Sequence, residues 1–555
     1  MSHAAIRLLK RRWKLTEDTV PIVERFLASW ANGNTSLEVD PADITLLRAN
    51  AAVGDGTDPT PLVLRGTRLQ SWHLDQMETQ VATKLLELAQ RRRSRADTDD
   101  RNLIAKLFPD QHSSQRRALL HGFDRNLTLV TGGPGTGKTT TAARFLASLA
   151  HRNPNIRIAL SAPTGKAAAR LGEAVGQATL ALDTVMLSAR SLLELTAVQS
   201  KTVHRLLGWN ARTGRCRFNE KQPLHHDIVV VDEGSMLDLE LWNRLLLAIG
   251  NQTQLVVLGD DRQLESVQPG RVLAEMIAAA KTGHLKDCHI ELRHSHRLSS
   301  NPGISQLANA VREYDEDTAI KTLTDPKFRD ELQLFPASQI PKALDKVLKY
   351  ILTVVQAASP QEALLALEKL RILCALRRGP YGVAGVNTLV ENRLHAEGFP
   401  AGRWASGRPV LIKSNDPHSG LFNGDIGVVF HEPKSVNTKA WFRSPSGFRS
   451  VPVAALPNHD TAWAMTVHRS QGSEFDSVLL ILPPQSHELA STELFYTAIT
   501  RTKSRLVVAA DTSTIRHACT QRPPRRTNLL EKLSHPDDHA RVIDDTTDFD
   551  EGRIS

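Results

Sequence analysis

The sequence predicts an α/β fold built from two successive series of alternating strands and helices. In the first series, apolar runs at residues 126–131 and 228–231 are each followed by a polar turn and a helix-like stretch. A second series begins near residue 371 and resumes near residue 464. Strands that alternate with helices are typical of parallel sheets, so we expect two α/β domains.

A glycine-rich loop, Gly132–Thr139, connects the first apolar run to a helix-like stretch. Its spacing, G-x-x-x-x-G-K-T between a strand and a helix, is the P-loop signature. Small residues let successive backbone N–H groups point at phosphate oxygens, at a helix N-terminus that favours negative charge. Lys138 should reach the β- and γ-phosphates of ATP, and the Thr139 hydroxyl should bind Mg²⁺. The predicted loop contacts to nucleotide are Gly132, Gly133, Pro134, Gly135, Thr136, Gly137, Lys138, Thr139 and Thr140.

Polar residues elsewhere in the first series complete the predicted ATP site. Gln115 precedes the P-loop strand, and its amide could read an adenine edge. Asp232 would hold Mg²⁺, and Glu233 would orient and deprotonate the attacking water. Gln263 ends the next apolar strand and would sense the γ-phosphate. Taken singly, Gln115 could be a surface residue and the acid pair a helix cap.

The composition describes a globular chain without a membrane or disulfide signature. Hydrophobic residues make up 41% and charged residues 23% of the chain, and no apolar run approaches the ~18 residues that span a bilayer. Its four cysteines stand far apart, which argues against a zinc site, an iron–sulfur cluster or a disulfide framework and fits a reducing cytoplasm. The net charge of +9 is compatible with a polyanionic partner, although alone it is weak support.

The order of motifs from the P-loop to Arg505 resembles that of superfamily 1 DNA helicases. Within them the chain is similar to the RecD family, the α subunits of RecBCD-type enzymes (exodeoxyribonuclease V). Besides the P-loop, the matching segments are Thr60–Leu69, Ser161–Arg170, Thr202–Gly208, Val230–Met236, Gly259–Leu264, Leu421–Gly427, Trp463–Asp476 and Tyr496–Arg501. Three places depart from the family pattern: Gly234 replaces the usual Ala, Arg469 replaces the usual Lys, and Thr502-Lys-Ser replaces a more Arg-rich run.

The resemblance implies two RecA-like domains in tandem with ATP between them, a small SH3-like β-barrel inserted in the second, and a mainly helical N-terminal domain. Short β-like runs broken by Asn-Gly and Pro-Ser-Gly turns support the inserted β-domain independently. The predicted divisions are a partner-docking domain at 1–105, a first RecA-like domain at 106–300 with a small insertion near 205–227, a second RecA-like domain at 301–402 and 461–515, the inserted barrel at 403–460, and a disordered tail at 516–555.

The resemblance also implies an ATP-dependent helicase that moves 5′ to 3′ on DNA. Arg501 would arrive from the second domain as an arginine finger, and Arg297 resembles a second one. The predicted DNA contacts are Thr164, Gly165 and His204 on one side of the strand and Thr466 and His468 on the other. The loop between His204 and Asp227 either splits the duplex or is a structureless surface loop.

By the same resemblance, the chain should assemble with RecB- and RecC-like subunits into a heterotrimer. It would act on single-stranded DNA and duplex ends in recombinational repair, in the bacterial cytoplasm. No clustered Asp, Glu and Lys set outside the ATP site suggests a nuclease centre, so the nuclease is expected in another subunit. Two alternatives stay open: a stand-alone helicase of the same superfamily, and a structural subunit with a vestigial ATPase.

Overall fold

The computed structural model describes residues 9–93, 96–110, 113–180, 198–292, 301–400, 402–416, 418–431, 438–444, 447–484, 489–521 and 525–535. In this part of the chain no helix has the length and apolar character needed to cross a membrane.

The α-helices used below are α1 Val20–Ala31, α2 Pro41–Arg48, α3 Trp72–Gln90, α4 Thr98–Leu107, α5 Ser114–Asp124, α6 Lys138–Arg152, α7 Gly165–Leu180, α8 Val203–Leu206, α9 Leu239–Ala248, α10 Val272–Thr282, α11 Pro302–Arg312, α12 Glu316–Thr324, α13 Ile340–Asp345, α14 Leu348–Val355, α15 Pro360–Lys369, α16 Val383–Ala396, α17 Thr492–Thr500, α18 Thr512–Thr520 and α19 Leu529–Ser534. The strands are β1 Leu37–Glu38, β2 Val53–Gly54, β3 Leu62–Arg65, β4 Arg68–Ser71, β5 Leu127–Gly132, β6 Ile158–Ala162, β7 Ser200–Thr202, β8 Ile228–Val231, β9 Gln254–Gly259, β10 His289–Leu292, β11 Leu332–Phe335, β12 Leu370–Cys374, β13 Pro409–Ile412, β14 Ile426–Phe430, β15 Lys439–Ser444, β16 Gly447–Pro452, β17 His459–Thr461, β18 Ala464–Thr466, β19 Phe475–Ile481 and β20 Thr502–Ala509.

The first α/β domain is organised around a parallel six-stranded sheet, in the order β10-β5-β9-β8-β6-β7. Every residue of β5, β8 and β9 is buried. Strands covered by helices on both faces need apolar residues at consecutive positions, which explains their Val- and Leu-rich sequences. The P-loop connects β5, the strand next to the edge strand β10, to α6, and therefore lies at the carboxyl edge of the sheet.

The second α/β domain has a parallel five-stranded sheet, in the order β11-β20-β19-β12-β18. Its central pair is β12 and β19, where Ile372 lies opposite Leu479. Separate apolar clusters cover its two faces. Together the two parallel sheets confirm the predicted α/β class.

A five-stranded antiparallel sheet is inserted between α16 and β18, in the order β16-β15-β14-β13-β17. Its own apolar core includes Val410, Val429 and Phe442. The inserted sheet reaches the first α/β domain, because the Arg205 guanidinium lies 4.8 Å from the centre of the Phe422 ring.

The N-terminal unit combines α1–α3 with a small sheet, β1-β4-β3-β2. The apolar face of the long helix α3 joins a core shared with α9 and α10 of the first α/β domain. The predicted boundary at residue 105 is wrong, because it falls inside α4. Helix α4 packs with α5 and α6, so the first α/β domain begins before Thr98.

The predicted disordered tail is also wrong for the described residues after 515. Helix α18 completes the apolar core of the second α/β domain through Ile515, Ala518 and Cys519. Residues 525–535, which we call the C-terminal segment, return to the N-terminal unit. Leu529 and Leu533 are buried there against α3 and α10.

A buried polar network fixes the C-terminal segment to α3. The Lys532 ammonium donates to the Asp75 carboxylate at 2.8 Å and lies 3.8 Å from the Glu78 carboxylate, with all three side chains at most 1% exposed. Burial acts to raise the pKa of Asp75, but hydrogen bonds from Arg65 and Lys532 and their charges lower it overall. Removing either the cation or a carboxylate would leave an uncompensated buried charge, so each side of the network depends on the other.

Replacing Lys532 with Ala should destabilise the protein strongly. Glu78 would stay buried without the Lys532 cation and Asp75 would keep only Arg65, a change that costs about 3–5 kcal/mol. The midpoint of urea unfolding, followed by circular dichroism, measures this loss. The control is Lys346→Ala at an exposed position, which should change the free energy of unfolding by less than about 0.5 kcal/mol. Equal midpoints for the two variants would contradict the network's role.

Candidate functional site

The P-loop has the backbone geometry of a phosphate cradle. Gly135 and Gly137 have φ angles of +74° and +83°, which L-residues with side chains rarely adopt. The loop is further fixed by Thr136, whose hydroxyl donates to the Gly133 carbonyl at 2.8 Å. Lys138 begins α6, and its ammonium donates to the carbonyls of Gly132 and Gly133 at 2.6 and 3.1 Å.

Gln115 lies against the P-loop, and its predicted contact with adenine stays a prediction. Its amide nitrogen donates to the Thr136 carbonyl at 3.2 Å. A Cβ at Gly137 would lie 2.5 Å from the same nitrogen, so this glycine permits the close approach. Of the other predicted loop residues, Thr139 is half-buried and Thr140 is exposed in the first turn of α6.

Asp232 and Glu233 follow β8, at the same carboxyl edge as the P-loop. Burial first, and the Glu233 charge second, raise the pKa of Asp232 to about 6, although the Lys138 charge acts in the opposite direction. Glu233 has a left-handed backbone (φ +53°), and its N–H donates to the Asp232 carboxylate at 2.8 Å. Such a conformation is costly for a non-glycine residue and is common at functional sites.

The packing explains why Gly stands at 234, where the family usually has Ala. A Cβ at this position would lie 2.8 Å from Val257 Cγ1 and 3.4 Å from the Leu258 carbonyl oxygen. An alanine would therefore require the Val257 side chain to move, whereas the glycine lets residue 234 pack closely on β9.

A chain of hydrogen bonds joins the two α/β domains beside the P-loop. The Arg501 guanidinium donates to the Gln263 side-chain oxygen at 2.8 Å. The Gln263 amide donates to the Asp260 carboxylate at 3.0 Å, and that carboxylate also accepts from the Tyr496 hydroxyl at 3.3 Å. The hydroxyl lies 3.1 Å from the position of a Cβ at Gly133, so the chain of bonds ends at the glycine loop.

The side chains in this chain of hydrogen bonds are shielded from water. Arg501, Gln263, Asp260 and Tyr496 are each at most 4% exposed. Burial raises the pKa of Asp260, while the Lys138 charge acts to lower it. Lys138 is therefore electrostatically close to both Asp260 and Asp232, and the residues predicted around the phosphates do gather at one cleft.

Four further contacts hold the two α/β domains together around the same cleft. The Leu264 N–H donates to the Thr497 hydroxyl at 2.8 Å, and the Leu264 carbonyl accepts from the Gln471 amide at 2.6 Å. From α7, Arg170 donates to the Gly472 carbonyl at 2.6 Å and pairs with Glu474 at 3.1 Å.

The predicted DNA residues occupy different environments. His204 and Gly165 are exposed, at the starts of α8 and α7. The Thr164 hydroxyl accepts a hydrogen bond from the Ala167 N–H at 3.2 Å, so it also caps α7. The Thr466 hydroxyl is buried and has no hydrogen-bond partner among the described residues.

His468 is half-buried in the second α/β domain. Burial first, and then the charges of Arg525 and Arg377, lower the pKa of its imidazole to about 4. The ring is therefore neutral at physiological pH, and would act through a hydrogen bond rather than a positive charge.

Sequence reasoning missed several residues of this cleft. Asp260 and Tyr496 lie in Gly259–Leu264 and Tyr496–Arg501, two of the segments that match the family. Their place in those segments could have identified them as site residues. Nothing in the sequence marked Arg525 as a site residue, because it lies in the segment that was predicted to be a disordered tail. The predicted second arginine finger, Arg297, lies outside the described residues.

Comparisons with known proteins agree with this arrangement. The AAA domain family matches residues 115–269, and the UvrD-like helicase C-terminal domain matches residues 461–509. The chain is 39% identical to RecBCD enzyme subunit RecD of Mycolicibacterium smegmatis, across 82% of this chain and 80% of that protein. It is 37% identical to RecBCD enzyme subunit RecD of Mycobacterium tuberculosis, across 89% of this chain and 85% of that protein.

Among solved structures, the chain is similar to the Pif1 helicase from Candida albicans, with 16% identity, a TM-score of 0.41, and coverage of 79% of this chain and 97% of the other. The family itself follows from the level and extent of identity to the two RecD proteins. The chain belongs to the RecD family, and it is an ATP-dependent DNA helicase.

Proposed function

We propose that this helicase hydrolyses ATP in the cleft between its two α/β domains and converts cleft closure into 5′-to-3′ movement on single-stranded DNA. The observation that carries the proposal is the hydrogen bond from Arg501 of the second domain to Gln263 of the first. It supports a site that is complete only when the two domains are closed together.

In this proposal the first α/β domain binds and activates the nucleotide. The backbone N–H groups of Gly132–Thr140, except at Pro134, and the Lys138 ammonium hold the phosphates, and Gln115 reads the adenine. Glu233 orients the attacking water and accepts its proton, which requires that its carboxylate be ionised. Gln263 contacts the γ-phosphate or that water. The position of these groups at one sheet edge supports the assignment.

The residues present suit Mg²⁺. The Thr139 hydroxyl and the Asp232 carboxylate are oxygen ligands of the kind this ion prefers. A divalent cation beside Asp232 would also offset the burial and the Glu233 repulsion that raise its pKa. When bound, Mg²⁺ would neutralise charge on the β- and γ-phosphate oxygens.

DNA would be held by both α/β domains across the same cleft. Thr164, Gly165 and His204 would contact it from the first domain, and Thr466 and His468 from the second. The Thr466 hydroxyl is buried and has no hydrogen-bond partner among the described residues, so a phosphate oxygen that reached it when the domains move apart would satisfy it. Contacts of this kind are largely independent of base sequence.

The remaining assignments follow from family membership. The N-terminal unit would dock RecB- and RecC-like subunits in a heterotrimer that processes double-strand DNA ends during recombinational repair, in the bacterial cytoplasm. The inserted antiparallel sheet would be the SH3-like module of the family. Its contact with Arg205 through Phe422 supports a position near the DNA path.

The loop between β7 and β8 is the proposed strand-separating element. Its base is fixed, because the Trp209 ring packs on His204 at 6.0 Å and under the Arg244 guanidinium at 4.7 Å. An isolated bridge between Asn210 and Arg215 closes a four-residue tip, of which Ala211–Thr213 are exposed. A rigid, protruding tip is suited to wedge between paired strands.

Replacing Arg501 with Ala should lower kcat for DNA-stimulated ATP hydrolysis by ~10³–10⁵, the usual contribution of an arginine finger. The KM for ATP should change little, because most phosphate contacts come from the first domain. Steady-state ATPase assays with oligo(dT) measure both constants. Lys503→Ala, which truncates an exposed cation two residues further along the chain, in β20, is the control. A kcat for Arg501→Ala close to that of Lys503→Ala would reject the finger.

Removing the tip Ala211–Gly214 should abolish unwinding of a 5′-tailed duplex but leave DNA-stimulated ATPase activity intact, because the base of the loop and the ATP site are untouched. The measurement compares strand separation with ATP turnover in the same preparation. The control replaces the tip with a Gly/Ser segment of equal length, which separates the loss of these side chains from the loss of the loop. Parallel loss of both activities would argue against a strand-separating role.

The Lys138→Gln variant tests the helicase activity, and co-purification with partner subunits tests the heterotrimer. We expect wild-type chain to unwind 5′-tailed, and not 3′-tailed, duplexes, and Lys138→Gln to lose this activity because it cannot neutralise the phosphates. The assay is run on the chain alone and with RecB- and RecC-like subunits. Failure to co-purify with those subunits would reject the heterotrimer, whereas unwinding from a 3′ tail would reject the direction.

A further inference from the structure

Arg525 follows the second α/β domain in sequence, but its guanidinium lies against the first. The side chain is only 15% exposed. Its Nη1 donates to the carbonyls of Gln268 and Gly270 at 3.2 and 2.9 Å, and its Nη2 donates to the Ser266 carbonyl at 2.5 Å. Its Nε lies 3.4 Å from the Glu265 carboxylate. One guanidinium thus donates to three carbonyls and pairs with one carboxylate within six consecutive residues.

Those acceptors belong to the loop that directly follows Gln263. On the side of the cleft, Leu264 is held by Thr497 and Gln471 of the second α/β domain. On the other side, residues 265–270 are held by Arg525. The loop that carries Gln263 is therefore fixed from both directions, and one of the two supports comes from the C-terminal segment.

The loop has little apolar burial of its own to fix it. Val267, at its centre, is 68% exposed. Its carbonyls are outside any strand or helix and need other donors where they are shielded from water. A guanidinium supplies five N–H donors in a rigid planar fork, so it can serve several carbonyls at once, which an ammonium cannot do with the same geometry.

The N-terminal unit closes over the same guanidinium. A Cβ at Gly33 would lie 3.0 Å from Arg525 Cζ, and the φ of Gly33 is +89°. The Gly33 carbonyl also accepts from the Gly270 N–H at 3.2 Å. Arg525 thus lies where the N-terminal unit, the C-terminal segment and the Gln263 loop meet.

We infer that Arg525 is a positioning residue for ATP hydrolysis: by fixing the loop at 264–270, it keeps Gln263 where Arg501 and the γ-phosphate can reach it. The inference rests on the proposed role of Gln263. Arg525 itself acts through the loop and has no contact with nucleotide in this account.

The test is a double-mutant cycle on the full-length chain, with kcat and KM for ATP measured in the presence of oligo(dT). Arg525→Ala should lower kcat by about 10- to 100-fold with little change in KM, since a misplacement of about 1 Å can cost that much. In the Gln263→Ala background, Arg525→Ala should have no further effect, because residues that act through one another are not additive.

Arg526→Ala is the matched control. The Arg526 side chain is exposed and pairs only loosely with Glu38, at 3.4 Å, so its loss should leave kcat unchanged. If Arg525→Ala does not fold, Arg525→Lys replaces it: the charge is kept, the fork is lost, and kcat should fall partway while the thermal midpoint is preserved.

Two results would overturn the inference alone. One is a kcat for the folded Arg525 variant equal to that of Arg526→Ala. The other is an equal loss of kcat from the Arg525 substitution with and without Gln263, which would indicate a general structural effect. If Gln263→Ala itself retains full kcat, the proposed role of Gln263 fails, and this inference fails with it.

Discussion

The hydrogen bond between Arg501 and Gln263 is the interaction on which this structure depends. It joins a side chain of the second α/β domain to one of the first, and both residues are almost completely buried. In a site shielded from water, a guanidinium interacts strongly with any negative charge nearby. In the mechanism we propose, the second domain stabilises charge on a phosphate bound by the first only while the cleft is closed. Hydrolysis and domain closure would then be one event, which is the physical requirement for a motor.

The rest of the molecule supports the Gln263 side of this contact. Behind the first sheet, α9 and α10 share a core with the N-terminal unit, and α19 packs into the same core through Leu529 and Leu533. The chain itself crosses between the domains: α18 completes the second, and the C-terminal segment then binds the N-terminal unit and the first. Arg525 is the first residue of the C-terminal segment, so this segment links both domains beside the ATP site.

The parts of the molecule that depend on local pattern were predictable. The P-loop and the Asp232–Glu233 pair are each encoded in a few consecutive residues, and the structure places both at one sheet edge. The alternation of strands and helices is likewise visible in short stretches of the sequence. Long-range contacts were not predictable in this way. Lys532, Arg525 and Asn528 are polar and lie near prolines, so their sequence has the composition of a solvated tail. Only their partners, Asp75, Glu78 and the 265–270 loop, reveal that they are buried. The boundary at 105 failed because the charged run before α4 resembles a linker, while α4 itself packs on the first domain.

The coupling of closure to Arg501 can be measured directly as a distance between the two α/β domains. Spin labels on exposed positions of each domain, such as Lys281 and Lys342, would report it by double electron–electron resonance in a cysteine-free background. With a transition-state analogue of ATP and oligo(dT) bound, the account predicts one narrow, short distance for the unsubstituted chain and a broad, longer distribution for Arg501→Ala. Identical narrow distributions for the two chains would contradict the claim that Arg501 couples cleft closure to the nucleotide.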